Sequence, residues 1–460
     1  LAVRDLQALV RGRVWSPADA SYEPARTAVW CANVPARFPA AILRAASAKD
    51  VIAAVRFAKA NGLRIAVRGG GHNWSAASLR EGAILIDLGG LAELTIDPAA
   101  RRATVQPGVS GGALVAEAMA AGLMFPIAHC PSVPMSGFLL NGGYGFNAGE
   151  WGPSVLLVEA MEIVTADGEL VRASETENSE LFWAARGAGP GFFGIVTRFH
   201  LRLLPPRRSI LATNYIFPLE ATAEATDALH RIRADCPDNV ELTFLASAGA
   251  GPPQAPKIGV VSGIAFADDE ELARRSLDFL DDFPARGAAM VVENRVPMTW
   301  PSLFEAVGAL FPPKMHYLGN TIWTSVAVSD LYAPYAEHLA TAPSPYAFSN
   351  CVLYPPGFAE KARHYDAALS MQSDILSLQY AIWDDPAESA RNEEWFRQSA
   401  AIFQPHAQGH YIGEADLNLF PQFARGSYSR ETWSRLVSLR KRSDPSGVFF
   451  DFLGHDRGPA

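Results

Sequence analysis

Two glycine-dense loops, each carrying one nucleophilic side chain, set the tightest limit on how this chain can fold. The first, Arg68-Gly69-Gly70-Gly71-His72, directly follows an apolar run at 63–67 that reads as a buried strand. The second spans 130–152, CPSVPMSGFLLNGGYGFNAGEWG, and begins on Cys130. Glycines at the end of a strand let a backbone approach phosphate closely and turn N–H groups toward it. No G-x-G-x-x-G opens a helix after a strand. The nearest run, Gly187-Ala188-Gly189-Pro190-Gly191, follows a helical stretch and contains proline. That argues against a doubly wound dinucleotide fold, and there is no Walker A sequence either. A dinucleotide-like cofactor lying along both loops would meet an imidazole at His72 and a thiol at Cys130.

The rest of the chain supplies a frame for these loops. Ser47 caps a helix that carries Asp50 in its first turn and ends at Asn61-Gly62. Strands are expected at 63–67 and 83–88, and hairpins at 94–106 and 157–173. Helices are expected at 111–121 and 179–185, and a strand at 193–204 that stops at Pro205-Pro206. Beyond that proline pair, strand-like runs at 258–266, 317–328 and 376–383 alternate with helical ones at 221–234 and 269–283. A short helix at 431–442 closes the tail. No internal repeat is visible.

Composition narrows the partners. The 460 residues are 49% apolar and 19% charged, enough for a large core. With 39 Lys and Arg against 48 Asp and Glu, the net charge of −9 argues against nucleic acid. No apolar run reaches the ~18–20 residues of a membrane span. The opening residues lack the pattern of a signal peptide, so a cytoplasmic location is expected, while Leu1 in place of methionine points to a trimmed start. Four cysteines without a C-x-x-C make neither a disulfide scaffold nor a zinc knuckle. Cys31, Cys236 and Cys351 read as small buried hydrophobes. His406 and His410 are four apart, but Pro405 and Gly409 interrupt a helix there and no carboxylate lies between them, so no metal is expected.

RGGGHN at 68–73 and AHCPSVPMSGFLLNGGYGFNAGEWG at 128–152 resemble the bicovalent flavoproteins of the berberine bridge enzyme and gluco-oligosaccharide oxidase group. The resemblance continues through VTADGELVRASETENSELFWAARGAGPGFFGIVTRF at 164–199, GHYIGEADL at 409–417 and LVSLRKRSDPSGVF at 436–449. It implies an α+β protein: an FAD-binding domain of the vanillyl-alcohol-oxidase type at 1–205, completed by 409–460, and a substrate domain at 206–408 built on a large antiparallel sheet covered by helices. It also implies FAD linked covalently through His72, to the 8α-methyl carbon, and through Cys130, to C6 of the isoalloxazine. The same resemblance implies further cofactor contacts from Arg68, Gly69, Gly70, Gly71, Asn73, Gly108, Val133, Ser136, Gly137, Gly142, Gly143, Gly145, Ile195 and Val196. Two departures stand out. Pro134 replaces a glycine usual in the family, which fixes φ in the loop. Gly413 replaces the asparagine of a Tyr-x-Asn-x-x-Asp pattern.

The expected reaction is flavin oxidation of an alcohol at an activated carbon, either a sugar hemiacetal or a benzylic or allylic alcohol. Dioxygen takes the electrons and leaves as hydrogen peroxide. The base is Tyr411 or Glu414. A tyrosine serves only if its pKa falls well below ~10. Tyr354, Tyr380, Trp383 and His316 are candidate pocket walls, although alternation along 379–383 leaves open which face is the pocket. Oxidative cyclisation of an aromatic natural product is a variant of the same hydride chemistry. A flavin-binding protein without turnover is a third reading. The rival from another class is a serine hydrolase, because Gly108-Val109-Ser110-Gly111-Gly112 matches G-x-S-x-G between a strand and a helix. The oligomeric state is not legible.

Overall fold

Ser47 accepts a hydrogen bond from the Asp50 amide and starts the helix Ala48–Ala60. Its apolar side packs Val51, Ala54, Val55 and Ala58 into the core. Asp50 does more than favour a helix N-terminus: its carboxylate accepts from the backbone N–H groups of Arg11, Gly12 and Ala46. One side chain thereby ties the N-terminal strand Arg13–Trp15 to the helix. In this computed structural model, residues 3–249 and 255–453 are described; Leu1 lies outside them.

Three sheets organise the described residues. The first runs Arg13–Trp15, Ala41–Arg44, Ile84–Asp87, Ile65–Arg68, with its last three strands parallel. The second is antiparallel, in the order Leu94–Asp97, Arg102–Val105, Ile195–Arg202, Val158–Val164, Leu170–Ser174. The third has seven antiparallel strands: Val291–Met298, Ser209–Pro218, Ile258–Ala267, Val240–Ser247, Phe348–Leu353, Ile375–Trp383, His316–Thr324. The tail returns to the first sheet. Ile65 pairs with Phe449, and the Arg64 guanidinium donates to the carbonyls of Gly447 and Phe449. No helix among the described residues is long and apolar enough to cross a membrane.

Two expected elements come out differently. The run at 317–328 splits into the strand His316–Thr324 and a helix that begins at Val328. The run at 269–283 forms only the helix Glu270–Arg275 and a short 3-10 turn, Asp278–Leu280. Asp278 and Asp281 there bind Arg295 of the edge strand instead of facing a helix surface.

The large sheet settles the orientation question at 376–383. Phe348 pairs with Tyr380, Asn350 with Leu378 and Val352 with Leu376, and all six face one cavity. The alternate positions Ser349, Ser377 and Gln379 face the helices, where the Tyr332 hydroxyl bonds both serines. A period of two therefore puts an apolar ceiling on one face and a polar network on the other.

Loop packing fixes the remaining geometry. A methyl group on Gly145 would lie 1.9 Å from the Ile127 carbonyl oxygen. We expect Gly145→Ala to lower stability by ~1–3 kcal/mol, read as a fall in the urea midpoint at unchanged slope. An unchanged midpoint would show that the loop yields.

Candidate active site

The strand Ile65–Arg68 ends in a turn at Gly71, whose φ of +69° lies in the left-handed region that glycine adopts without a steric penalty. The turn delivers His72 to a cavity of about 370 Å³ lined by both glycine loops. The loops touch backbone to side chain. A Cβ on Gly69 would fall 1.7 Å from the Ser136 hydroxyl, and one on Gly70 would fall 2.2 Å from the Pro134 ring. Pro134, the departure from the family pattern, is the N-cap of the helix Met135–Leu140 and fills the space that Gly70 vacates.

His72 and Cys130 meet across one residue. The Ser132 hydroxyl lies 3.2 Å from the Cys130 sulfur and 3.4 Å from His72 Nε2. The imidazole stacks on Trp30 at 5.4 Å between centroids. Burial pushes the His72 pKa down to about 4, so the ring is neutral at pH 7 and keeps a nucleophilic lone pair.

Of the residues expected around a cofactor, Arg68, Gly69, Gly70, Gly71, Asn73, Val133, Ser136, Gly137, Ile195 and Val196 line this cavity with His72 and Cys130. Arg68 serves it indirectly. Its guanidinium donates to Asp87 and to the carbonyls of Ala25 and Arg26, which locks the strand end. Gly108, Gly142, Gly143 and Gly145 stand outside the lining. They are close-approach or turn glycines behind it: Gly108 packs on the Leu88 and Leu91 carbonyls, and Gly142 and Gly143 have positive φ.

The cavity suits a large polar ligand. Three buried polar atoms on residues that line it, Ser136 Oγ, Asn141 Oδ1 and the Tyr144 hydroxyl, have no partner among the described residues. Buried polar groups are nearly always satisfied, so these call for a ligand with matching donors and acceptors. Asn141 and Tyr144 are lining residues that the sequence does not mark, and the Gly189-Pro190 turn, set aside there as a dinucleotide fingerprint, lines the cavity too. The signal of Asn141 and Tyr144 lies in side-chain atoms left unpaired, which a sequence does not display.

Both candidate bases line the cavity. Burial, with the Glu414 charge added, pushes Tyr411 upward, and hydrogen bonds from Gly143 and Tyr144 only partly offset this. Tyr411 is thus a neutral phenol at pH 7, contrary to what a tyrosine base requires. Glu414 Oε2 accepts from Trp74 Nε1 at 3.0 Å and from the Tyr380 hydroxyl at 2.7 Å. Asp416, nearby in sequence, caps a turn through the Asn418 and Leu419 amides, and burial raises it to about 6.

Other candidates fall elsewhere. Tyr354 and Tyr380 line the cavity, whereas His316 and Trp383 stack on each other at the far end of the sheet. Ser110 is a helix N-cap whose hydroxyl accepts from the Ala113 amide, and among the described residues no histidine bonds it. That replaces the nucleophile-elbow reading. His410 lies against the Phe423 ring and bonds the Thr321 carbonyl.

The chain is similar to known proteins. Residues 39–174 match the family model described as FAD binding domain. An FAD-linked oxidoreductase, nodO of Hypoxylon pulicicidum, is 29% identical over 94% of each chain. The (R)-6-hydroxynicotine oxidase of Paenarthrobacter nicotinovorans is 39% identical over 44% of each. Among solved structures, 6-hydroxy-D-nicotine oxidase from Arthrobacter nicotinovorans superposes with a TM-score of 0.83 at 25% identity over 98% of both chains. Berberine bridge enzyme from Eschscholzia californica gives 0.83 at 18% over 98% of this chain and 97% of that one.

His410 yields a pH prediction. Its pKa is down to about 4 through burial, so between pH 6.5 and about 4 the folded ring stays neutral while the unfolded one takes up a proton. The unfolded state then binds more protons, and stability falls as pH drops through that window. His410→Gln should flatten the fall in Tm from pH 6.5 to 4; an unchanged slope would refute the assignment.

Proposed function

We propose that this FAD-binding oxidoreductase of the berberine bridge enzyme-like kind, with the vanillyl-alcohol-oxidase-type fold, holds its flavin covalently through His72 and Cys130. On this reading it oxidises a largely apolar small molecule bearing an alcohol at an activated carbon. Residues 1–205 and 409–460 hold the cofactor, and 206–408 supply the ceiling over the substrate. The flavin supplies hydride acceptance when bound; the chain supplies binding, orientation and proton transfer. Dioxygen is the terminal acceptor in this reading, with hydrogen peroxide as product.

The observation that carries the proposal is the placement of Glu414. Its carboxylate lines the cavity between the glycine loops and the sheet, fixed by Trp74 and Tyr380. Two donors on Oε2 hold the group in place, and Oε1 accepts no hydrogen bond from the described residues. Glu414 is therefore the base that takes the substrate hydroxyl proton. Tyr411, a neutral phenol, orients the substrate by hydrogen bonding.

The ceiling argues for an apolar substrate. Phe311, Phe348, Val352, Leu376 and Leu378 form most of it, with Asn350, Tyr354 and Tyr380 as the residues there that carry polar groups. An oligosaccharide would leave many hydroxyls facing hydrocarbon without partners, at a cost for each. A benzylic or allylic alcohol leaves one polar end for Glu414 and Tyr411.

Anaerobic mixing with a panel of benzylic and allylic alcohols should bleach the flavin. Glu414→Gln should slow that bleaching ~10²–10⁴-fold at unchanged flavin content, and Tyr411→Phe should slow it less. A Glu414→Gln protein that bleaches at the normal rate, or faster bleaching with sugars than with aromatic alcohols, would overturn the assignment.

A further inference from the structure

Cys130 sits in a stretch with little backbone support. Among the described residues, Ala128, His129 and Cys130 donate no backbone hydrogen bond. The Cys130 carbonyl accepts the Val133 amide, and the other supports lie to either side. Gly145 packs on Ile127, and Gly111 and Gly112 donate to the carbonyls of Val133 and Pro131. A thiol that must meet one ring carbon needs a firmer hold than this.

That hold comes from the other half of the molecule. Glu241, on the strand Val240–Ser247 of the large sheet, is buried at 7% exposure. Val240, Leu242, Phe244 and Ala246 of that strand belong to the core on the helix side. Glu241 points the opposite way by alternation. Both its oxygens are engaged. Oε1 lies 3.0 Å from His129 Nε2, and Oε2 accepts the Asn147 amide at 2.9 Å. His129 immediately precedes Cys130, lines the cavity and packs on Phe146 at 4.2 Å. Asn147 has a φ of +58°, in the left-handed region that asparagine adopts more readily than other non-glycine residues. A buried carboxylate is costly unless fully partnered, and this one is partnered solely by the Cys130 loop among the described residues. The negative charge also raises the His129 pKa against the effect of burial, which favours the charge-assisted form of the bond.

We infer that Glu241 is the positioning residue for Cys130: it grips the flavin-linking loop at His129 and at Asn147, so that the sheet roofing the substrate also aims the thiol. This rests on the reading of Cys130 as a flavin link. Forming that link exchanges the thiol S–H and one ring C–H for an S–C bond. Two electrons and two protons leave, and dioxygen takes them up as hydrogen peroxide. Glu241 touches none of the reacting atoms.

The test is the share of polypeptide carrying flavin at Cys130 and at His72, read by peptide mass spectrometry on purified holoprotein, with Tm as the control for folding. Glu241→Ala should slow linkage at Cys130 ~100-fold, as expected for a reacting atom displaced by about 1 Å, while linkage at His72 stays normal. Glu241→Gln keeps an oxygen for the Asn147 amide and should restore most of the Cys130 linkage. Normal linkage at Cys130 in Glu241→Ala, or equal loss at both residues, would overturn the positioning role. A wild-type protein without flavin at Cys130 would instead overturn the underlying reading, and the role with it.

Discussion

Gly69 and Gly70 have no side chains because Ser136 and Pro134 occupy the volume where those side chains would stand. The rest of the site depends on this contact between two loops. It lets the loop after the strand Ile65–Arg68 lie against the start of the helix Met135–Leu140. That brings His72 and Cys130 within reach of one hydroxyl, Ser132. Arg68 secures the first loop from behind through Asp87, and Glu241 secures the second from across the molecule. A larger residue at either glycine would separate the two nucleophiles.

The cavity so formed has two chemically distinct sides. One is backbone, glycine and unpaired polar atoms, suited to a dinucleotide. The other is the inner face of the large sheet, mostly hydrocarbon, suited to an apolar substrate. Between them, burial decides protonation. It lowers His72, which keeps a nucleophile free of its proton, and raises Tyr411, which keeps a donor protonated. Glu414 stands at the junction, bonded to Trp74 from the first half and Tyr380 from the second. The proposed base is thus positioned only when both halves are assembled.

The glycine loops, the capped helix after Ser47 and both hairpins were legible because each is a local signal: glycine density, a cap residue, alternation. The two faces of the strand Ile375–Trp383 were not distinguishable, because both are buried and its one strongly polar residue, Gln379, belongs to a polar network on the helix side. His316 and Trp383 suggested a pocket and instead pair with each other, which register alone determines. The upward shift of Tyr411 comes first from burial, which only the tertiary packing creates, and then from Glu414, and Glu414 owes its orientation to Trp74, 340 positions earlier. Glu241 gave no sequence signal, since one carboxylate in a strand looks like a solvated position until its partners are known. Ser110 shows the converse: a motif with the right local context is a helix cap, bonded by no histidine among the described residues.

The central claim is that the meeting of His72 and Cys130 makes a two-point attachment for flavin. The most direct measurement is the mass and visible absorbance of the acid-denatured holoprotein, compared among wild type, His72→Ala, Cys130→Ala and the double variant. The account predicts flavin retained by the polypeptide in the wild type and in each single variant, and lost in the double variant. Flavin released completely from the wild type, or from one single variant as fully as from the double, would contradict it.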